Sequence, residues 1–449
     1  MSRDQGQAQH RISPTRVLDL DPLLDDPATR IVVCCGSGGV GKTTTAAALG
    51  LRAAERGRKV VVLTIDPARR LAQSMGIDSL DNTPRRVKGV EGDGELHAMM
   101  LDMKRTFDEI VEAHADPERA AAILTNPFYQ SLSAGFAGTQ EYMAMEKLGQ
   151  LRARDEWDLI VVDTPPSRSA LDFLDAPKRL GSFLDGKLIR VLLAPAKVGG
   201  RAGMKFLNVG MSMMTGALGK LLGGQLLKDV QTFVAAMDSM FGGFRTRADA
   251  TYKLLQAPGT AFLVVAAPER DALREAAYFV ERLAAEDMPL AGLVLNRVHG
   301  SGAAQLSAER ALAAAENLDL ADAPADAAAD SPAAENLEEP RIVDQDGGKA
   351  GLRNSPDTYA SSESPATDPG PESHTADQLT AGLLRLHAER MHLLSREQRT
   401  RDRFTALHPE VAVAEVAALP GDVHDLAGLR DIGSRLAANR PELPEAADS

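Results

Sequence analysis

The apolar residues of the chain gather in short runs set between longer amphipathic stretches. Residues 31–35 read Ile-Val-Val-Cys-Cys, and residues 60–65 read Val-Val-Val-Leu-Thr-Ile. Residues 159–162 (Leu-Ile-Val-Val), 261–267 (Ala-Phe-Leu-Val-Val-Ala-Ala) and 291–295 (Ala-Gly-Leu-Val-Leu) repeat the pattern. Short runs rich in β-branched residues suit strands covered on both faces. Between them, residues 44–57 are rich in Ala and Leu and stop at Gly57, as a helix would. Residues 104–153 place Phe107, Ile110, Val111 and His114 at helical spacing, and residues 168–256 and about 270–286 also read as helical. A charged helix is predicted over 378–405, a last strand over 410–419, and a closing helix through Leu426, Leu429, Ile432 and Leu436. Strands alternating with helices predict an α/β fold, a mostly parallel sheet with helices on both faces. The stretches at about 104–153 and 168–256 are then an inserted helical subdomain.

Two regions break the pattern. Residues 1–29 are mostly polar, with Pro14, Pro22 and Pro27, and are expected to form a loose arm. Residues 315–376 are dominated by Ala, Asp, Glu, Pro and Ser, too poor in large apolar groups to offset chain entropy, and are expected to be a disordered insert. The core is then 30–300 together with 378–440.

Composition narrows the function classes. A net charge of −13 without an extended basic run argues against nucleic acid as a partner. The N-terminus lacks the apolar core of a signal peptide, and no apolar stretch is long enough to span a bilayer, so no stable membrane insertion is expected. The only cysteines, Cys34 and Cys35, point to opposite faces of a strand and are poorly placed to bridge each other. They read as small buried residues of a protein from the reducing cytoplasm.

The chemistry is concentrated in Gly36-Ser37-Gly38-Gly39-Val40-Gly41-Lys42-Thr43, which fits G-x-x-x-x-G-K-[ST]. A triphosphate packs several negative charges into a small volume. A glycine-rich loop can turn its backbone N–H groups inward on that charge, and the helix that follows adds its positive dipole end. Lys42 would neutralise the β- and γ-phosphates, and the Thr43 hydroxyl would ligate Mg²⁺. Ligands of parallel sheets sit at the carboxyl ends of the strands. Gly36, Asp66, Asp163 and Asn296 each follow a predicted strand directly, so they can converge on one crevice.

The run Gly36 to Thr45, then Thr64-Ile65-Asp66-Pro67-Ala68, then Asp163-Thr164-Pro165-Pro166-Ser167 resembles the ArsA/Get family of dimeric P-loop ATPases. Val294-Leu295-Asn296-Arg297 and Leu419-Pro420-Gly421-Asp422-Val423 extend the match, which covers most of the chain outside the arm and the insert. The resemblance implies a P-loop NTPase that uses ATP and Mg²⁺. It assigns Asp66 to the first switch, where it acts on the attacking water, and Asp163 to the second, where it holds Mg²⁺ with Thr43. Gly38, Gly39, Val40, Gly41, Lys42, Thr43 and Thr44 would hold the phosphates. Thr164 to Ser167 would sense the γ-phosphate. Asn296 would read the adenine edge, Pro420 would lie in the loop over the base, and Glu269 would touch the nucleotide.

Two departures qualify the resemblance. The family places a lysine at the position of Ser37, and that cation reaches into the partner's site. A neutral serine cannot replace it, and such a cation is worth ~10³–10⁵ in rate. A homodimer is expected to bind ATP and turn it over slowly, unless another basic residue reaches across. A heterodimer with a lysine-bearing paralogue would complete this chain's own site. The second departure is the lack of the C-x-x-C pair that shares zinc across the dimer in members that target tail-anchored proteins, so no zinc is expected. The separated cysteines of arsenite transporters are missing too, which argues against arsenite efflux.

Met143, Met145, Met204, Met211, Met213, Met214, Met237 and Met240 lie in the helical stretches. In the family these helices form a groove for a hydrophobic helical client; a plain core or dimer contact fits equally. Two functions follow. One is an ATP-driven chaperone or targeting factor whose subunits close with nucleotide. The other is a nucleotide-binding, weakly catalytic regulatory subunit.

Overall fold

The apolar runs build one sheet in the computed structural model, which describes residues 16–66, 70–132, 139–165, 233, 243, 246–322 and 376–438. Its strands are β1 (Ile31–Gly36), β2 (Lys59–Thr64), β3 (Arg85–Arg86), β4 (Glu95–Met100), β5 (Leu159–Asp163), β6 (Thr260–Ala266), β7 (Leu290–Val298) and β8 (Val413–Ala417). They lie in the order β3-β4-β2-β5-β1-β6-β7-β8. Every pair is parallel except β3 with β4. The helices are α1 (Leu20–Asp25), α2 (Lys42–Glu55), α3 (Arg70–Ser74), α4 (Met103–His114), α5 (Pro117–Leu124), α6 (Pro127–Leu132), α7 (Thr139–Arg154), α8 (Arg270–Ala285), α9 (Ala308–Asp322), α10 (Ala376–Leu407) and α11 (Leu426–Ala438). The sheet is α/β and mostly parallel, as expected.

Alternation along each strand supplies two cores. Ile31, Val33 and Cys35 face one side with Ile160, Val162, Val61 and Leu63, and pack against Ile110, Ile123, Tyr142 and Leu148 of α4, α5 and α7. Val32 and Cys34 face the other with Val60, Val62 and Val161, under Leu49 and Leu51 of α2 and Leu429 and Leu436 of α11. Met143 and Met145 belong to the first core and are buried, so for these two the core reading holds. The methionines between 204 and 240 lie outside the described residues.

Three sequence expectations need correction. Strand β4 was missed because Glu-Leu-His-Ala-Met-Met contains no β-branched residue; its partner β2 makes it a strand, pairing from Lys59↔Glu95 to Thr64↔Met100. The loose arm is not loose from residue 16 onward. Leu20 and Leu24 of α1 are fully buried, Asp21 takes a bidentate ion pair from Arg52, and Arg56 pairs with Asp25. The buried Arg58 guanidinium donates to the carbonyls of Leu24 at 2.8 Å and Thr29 at 2.6 Å, closing the segment onto the sheet. Finally, the start of the expected disordered insert is helical: α9 continues to Asp322.

The chain divides into two units. One holds residues 1–302 and 394–449, and with them the whole sheet. The other, residues 303–393, contains α9 and the first part of α10. In that unit Ala311, Ala315, Ala381 and Ala388 are buried and Leu320, Leu379, Leu383 and Leu386 are exposed.

Candidate functional site

The phosphate loop starts where β1 ends. Gly36 has φ 148°, and a Cβ there would lie 2.0 Å from the carbonyl oxygen of Val265 on β6, so no other residue fits. Val40 is buried in the second core and pins the loop, while Gly38 and Gly39 are exposed. Gly41, at φ 94°, is the N-cap of α2 and offers no side-chain cap, which leaves the first N–H groups of the helix open to an anion. Lys42 is buried and donates from Nζ to the Ser37 carbonyl at 2.7 Å. Burial lowers its pKa; the nearby carboxylates of Asp163 and Asp66 act in the opposite direction.

Strand register brings the acidic groups to the same place. Asp163, the last residue of β5, pairs with Cys34 on one side and Thr64 on the other. Its side chain is completely buried. Oδ2 accepts from the hydroxyls of Thr43 and Thr64, each at 2.8 Å. Oδ1 is buried with no partner among the described residues. Burial lifts the carboxyl to about 6, against the pull of the two hydroxyls and Lys42. An unmatched buried carboxylate oxygen beside a threonine hydroxyl suits Mg²⁺, held directly or through its water. Mg²⁺ shared with phosphate oxygens needs no all-protein cage. Among the described residues no group of three or more His, Cys, Asp and Glu is placed to hold a metal.

Asp66 follows β2 and lies close enough to Lys42 and Asp163 to act on both charges. The backbone beside it is tied on two sides. Ile65 N–H donates to the Asp163 carbonyl at 3.0 Å, and the Ile65 carbonyl accepts from Gln140 Nε2 at 2.8 Å. Gln140 belongs to α7, so the segment that follows β2 and that helix share a hydrogen bond.

The other end of the site is a cavity of about 560 Å³. Gly41, Thr44, Glu269 and Asn296 line it, so the structure brings these expected residues together. Asn296 Nδ2 donates to the Val40 carbonyl at 2.8 Å, which fixes the amide against the phosphate loop. Pro420 is exposed; its neighbours Leu419, Gly421 and Asp422 line the cavity instead. Arg297, His299 and Glu397 also line it; sequence reasoning named Arg297 within a motif without giving it a role and missed the other two. Only the adjacency of Arg297 and His299 to Asn296 hinted at them.

Residues 29–316, well over half of the 449-residue chain, match the family model for anion-transporting ATPases. The chain belongs to this family. The ATPase GET3 of Malassezia globosa is 31% identical over 165 residues, which are 37% of this chain and 47% of that relative, so the alignment spans about half of it. The ATPase GET3 of Podospora anserina is 26% identical over 297 residues, 65% of this chain and 80% of its own length. That of Ajellomyces dermatitidis is 26% identical over 282 residues, 62% and 76% of the two chains. With the phosphate loop in place, this family member is an ATP hydrolase of the P-loop class. The family match ends at residue 316, ahead of Glu397 and the loop after β8. No helix among the described residues is long and apolar enough to cross a membrane.

Proposed function

We propose that this ATPase couples nucleotide-driven closure of two subunits to the handling of a hydrophobic protein client in the cytoplasm. The observation that carries the coupling is the hydrogen bond from Gln140 to the Ile65 carbonyl, one residue before Asp66. A change at Asp66 reaches α7 through this contact, and α7 is packed into the sheet-face core with α4 and α5. Backbone amides from Gly38 to Thr44 and the ammonium of Lys42 hold the phosphates. Thr43 and Asp163 hold Mg²⁺, which when bound neutralises charge on the phosphates. Asp66 orients the attacking water, Asn296 reads the base, Glu269 contacts the nucleoside, and the loop at Pro420 covers it.

The test is binding of an apolar helical peptide to the purified chain with and without MgATP. Nucleotide should change the affinity at least ~10-fold, and Gln140→Ala should shrink that change while ATP still binds. Peptide binding indifferent to nucleotide would sink the coupling.

Ser37 favours a second reading, a weakly catalytic subunit of a heterodimer with a lysine-bearing paralogue. Ser37→Lys then raises turnover of the isolated chain by ~10³-fold or more. Unchanged turnover removes this reading.

A further inference from the structure

The cavity is also lined by a polar pair with no role so far. His299 Nδ1 lies 2.6 Å from Glu397 Oε1, and the His299 backbone N–H donates to Glu397 Oε2 at 3.2 Å. Both carboxylate oxygens are thus engaged by one residue. The Glu397 side chain is 10% exposed, whereas that of His299 is 37% exposed, and both residues line the cavity beside Asn296. The glutamate is the buried anchor and the imidazole is the accessible member.

Strand geometry places the imidazole there. Leu295 pairs with Glu415 and Val298 with Ala417, so β7 carries one residue more than β8 between these pairs. Within this bulge Arg297 adopts φ 62°, a left-handed conformation that costs a non-glycine residue free energy. Bulges re-aim side chains, and this one contains the cavity-lining residues Asn296 and Arg297 and lies just before His299. Ala418 N–H on the Val298 carbonyl at 2.9 Å then holds β7 against the loop that follows β8.

We propose that His299, held by Glu397, is a specificity-determining residue of the nucleotide site. With Nδ1–H donated to the carboxylate, the ring is fixed in the tautomer whose Nε2 is a hydrogen-bond acceptor. Nε2 accepts a hydrogen from the nucleoside half of ATP, from either the exocyclic amine of the base or a ribose hydroxyl. This inference rests on the proposed ATP site at Lys42 and Asn296.

The test measures binding to the full chain of ATP, of inosine triphosphate, of the 2′- and 3′-deoxy forms of ATP, and of inorganic tripolyphosphate. His299→Ala should weaken ATP ~3–10-fold, the range of one hydrogen bond, and leave tripolyphosphate unchanged. The analogue that lacks the donated hydrogen should bind wild type and variant alike, which separates base from ribose. Glu397→Gln, which keeps the packing but not the charge, should reproduce part of the loss. If His299→Ala leaves ATP affinity and every analogue ratio unchanged, the pair is a structural tie and the proposal falls. Failure of the wild-type protein to bind either ATP or tripolyphosphate would overturn the phosphate-loop reading itself, and this inference with it.

Discussion

The two ends of the site are built in opposite ways. The phosphate end draws on neighbours in sequence: Ser37 to Thr44 form one loop and one helix turn, and the acids that join them stand at the ends of β2 and β5, which pair with each other. The proposed base end is gathered from residues 268–269, 296–297, 299, 397, 418–419 and 421–423. At the phosphate end the chemistry is a dense charge, and nearly any loop of amides with one cation will bind it. At the base end the chemistry is an edge with a few donors and acceptors, which only a specific placement can read. Charge therefore imposes a local motif, while shape and hydrogen-bond pattern do not.

This contrast is open to direct attack. The largest expected effect is at the phosphate end. Lys42→Ala should cut turnover ~10²–10³-fold and weaken ATP and inorganic tripolyphosphate in parallel, because the ammonium meets only phosphate. Circular dichroism should show an unchanged fold. If tripolyphosphate keeps its affinity while ATP loses it, Lys42 is not where the phosphates bind.

The next effect is on stability. Burial lifts the Asp163 carboxyl from an ordinary 3.8 to about 6, so the folded chain holds that proton more tightly than the unfolded one. A raised carboxyl contributes stability in full below its unfolded pKa, and that contribution is lost as pH rises through the folded one. Between about pH 4 and pH 6.5, in EDTA and without nucleotide, wild type should lose ~2 kcal/mol relative to Asp163→Asn. Asp21, Asp25 and Asp81 have the opposite sign, being held low by hydrogen bonds from Arg52, Arg56 and Arg85, but they cancel in the difference. Denaturant midpoints of the two proteins across that range check it. Parallel curves would mean that Asp163 titrates normally.

The same contrast decides what was legible in the sequence. The glycines, Lys42 and Thr43 were readable because their spacing is fixed by one loop. Asp66 and Asp163 were readable as acids that end apolar runs, since a parallel sheet sends such ends to one edge. The partnership of Thr64 with Asp163 was not readable, because it depends on the register Thr64↔Asp163 rather than on spacing. Strand β4 failed for a related reason, having no propensity of its own. The packed segment from residue 16 was hidden because its anchors, Arg52, Arg56 and Arg58, lie on and just beyond α2. His299 and Glu397 are 98 residues apart and meet only through the fold.

The smallest expected effect is the one that most sharpens the comparison. Asn296 touches both ends: its amide nitrogen donates to Val40 of the phosphate loop, yet it lines the cavity. Gly41 leaves it room, since a Cβ there would lie 2.3 Å from Asn296 Nδ2. If the two ends are separable, Asn296→Ala weakens ATP ~10-fold through the lost base contacts and leaves tripolyphosphate within a factor of about two. If the hydrogen bond to Val40 holds the loop in shape, both ligands weaken together, because the amides around Val40 no longer converge. Titration of both ligands against wild type and variant separates the cases. A parallel loss would mean that the base end pre-organises the phosphate end, and the two could no longer be treated as independent devices.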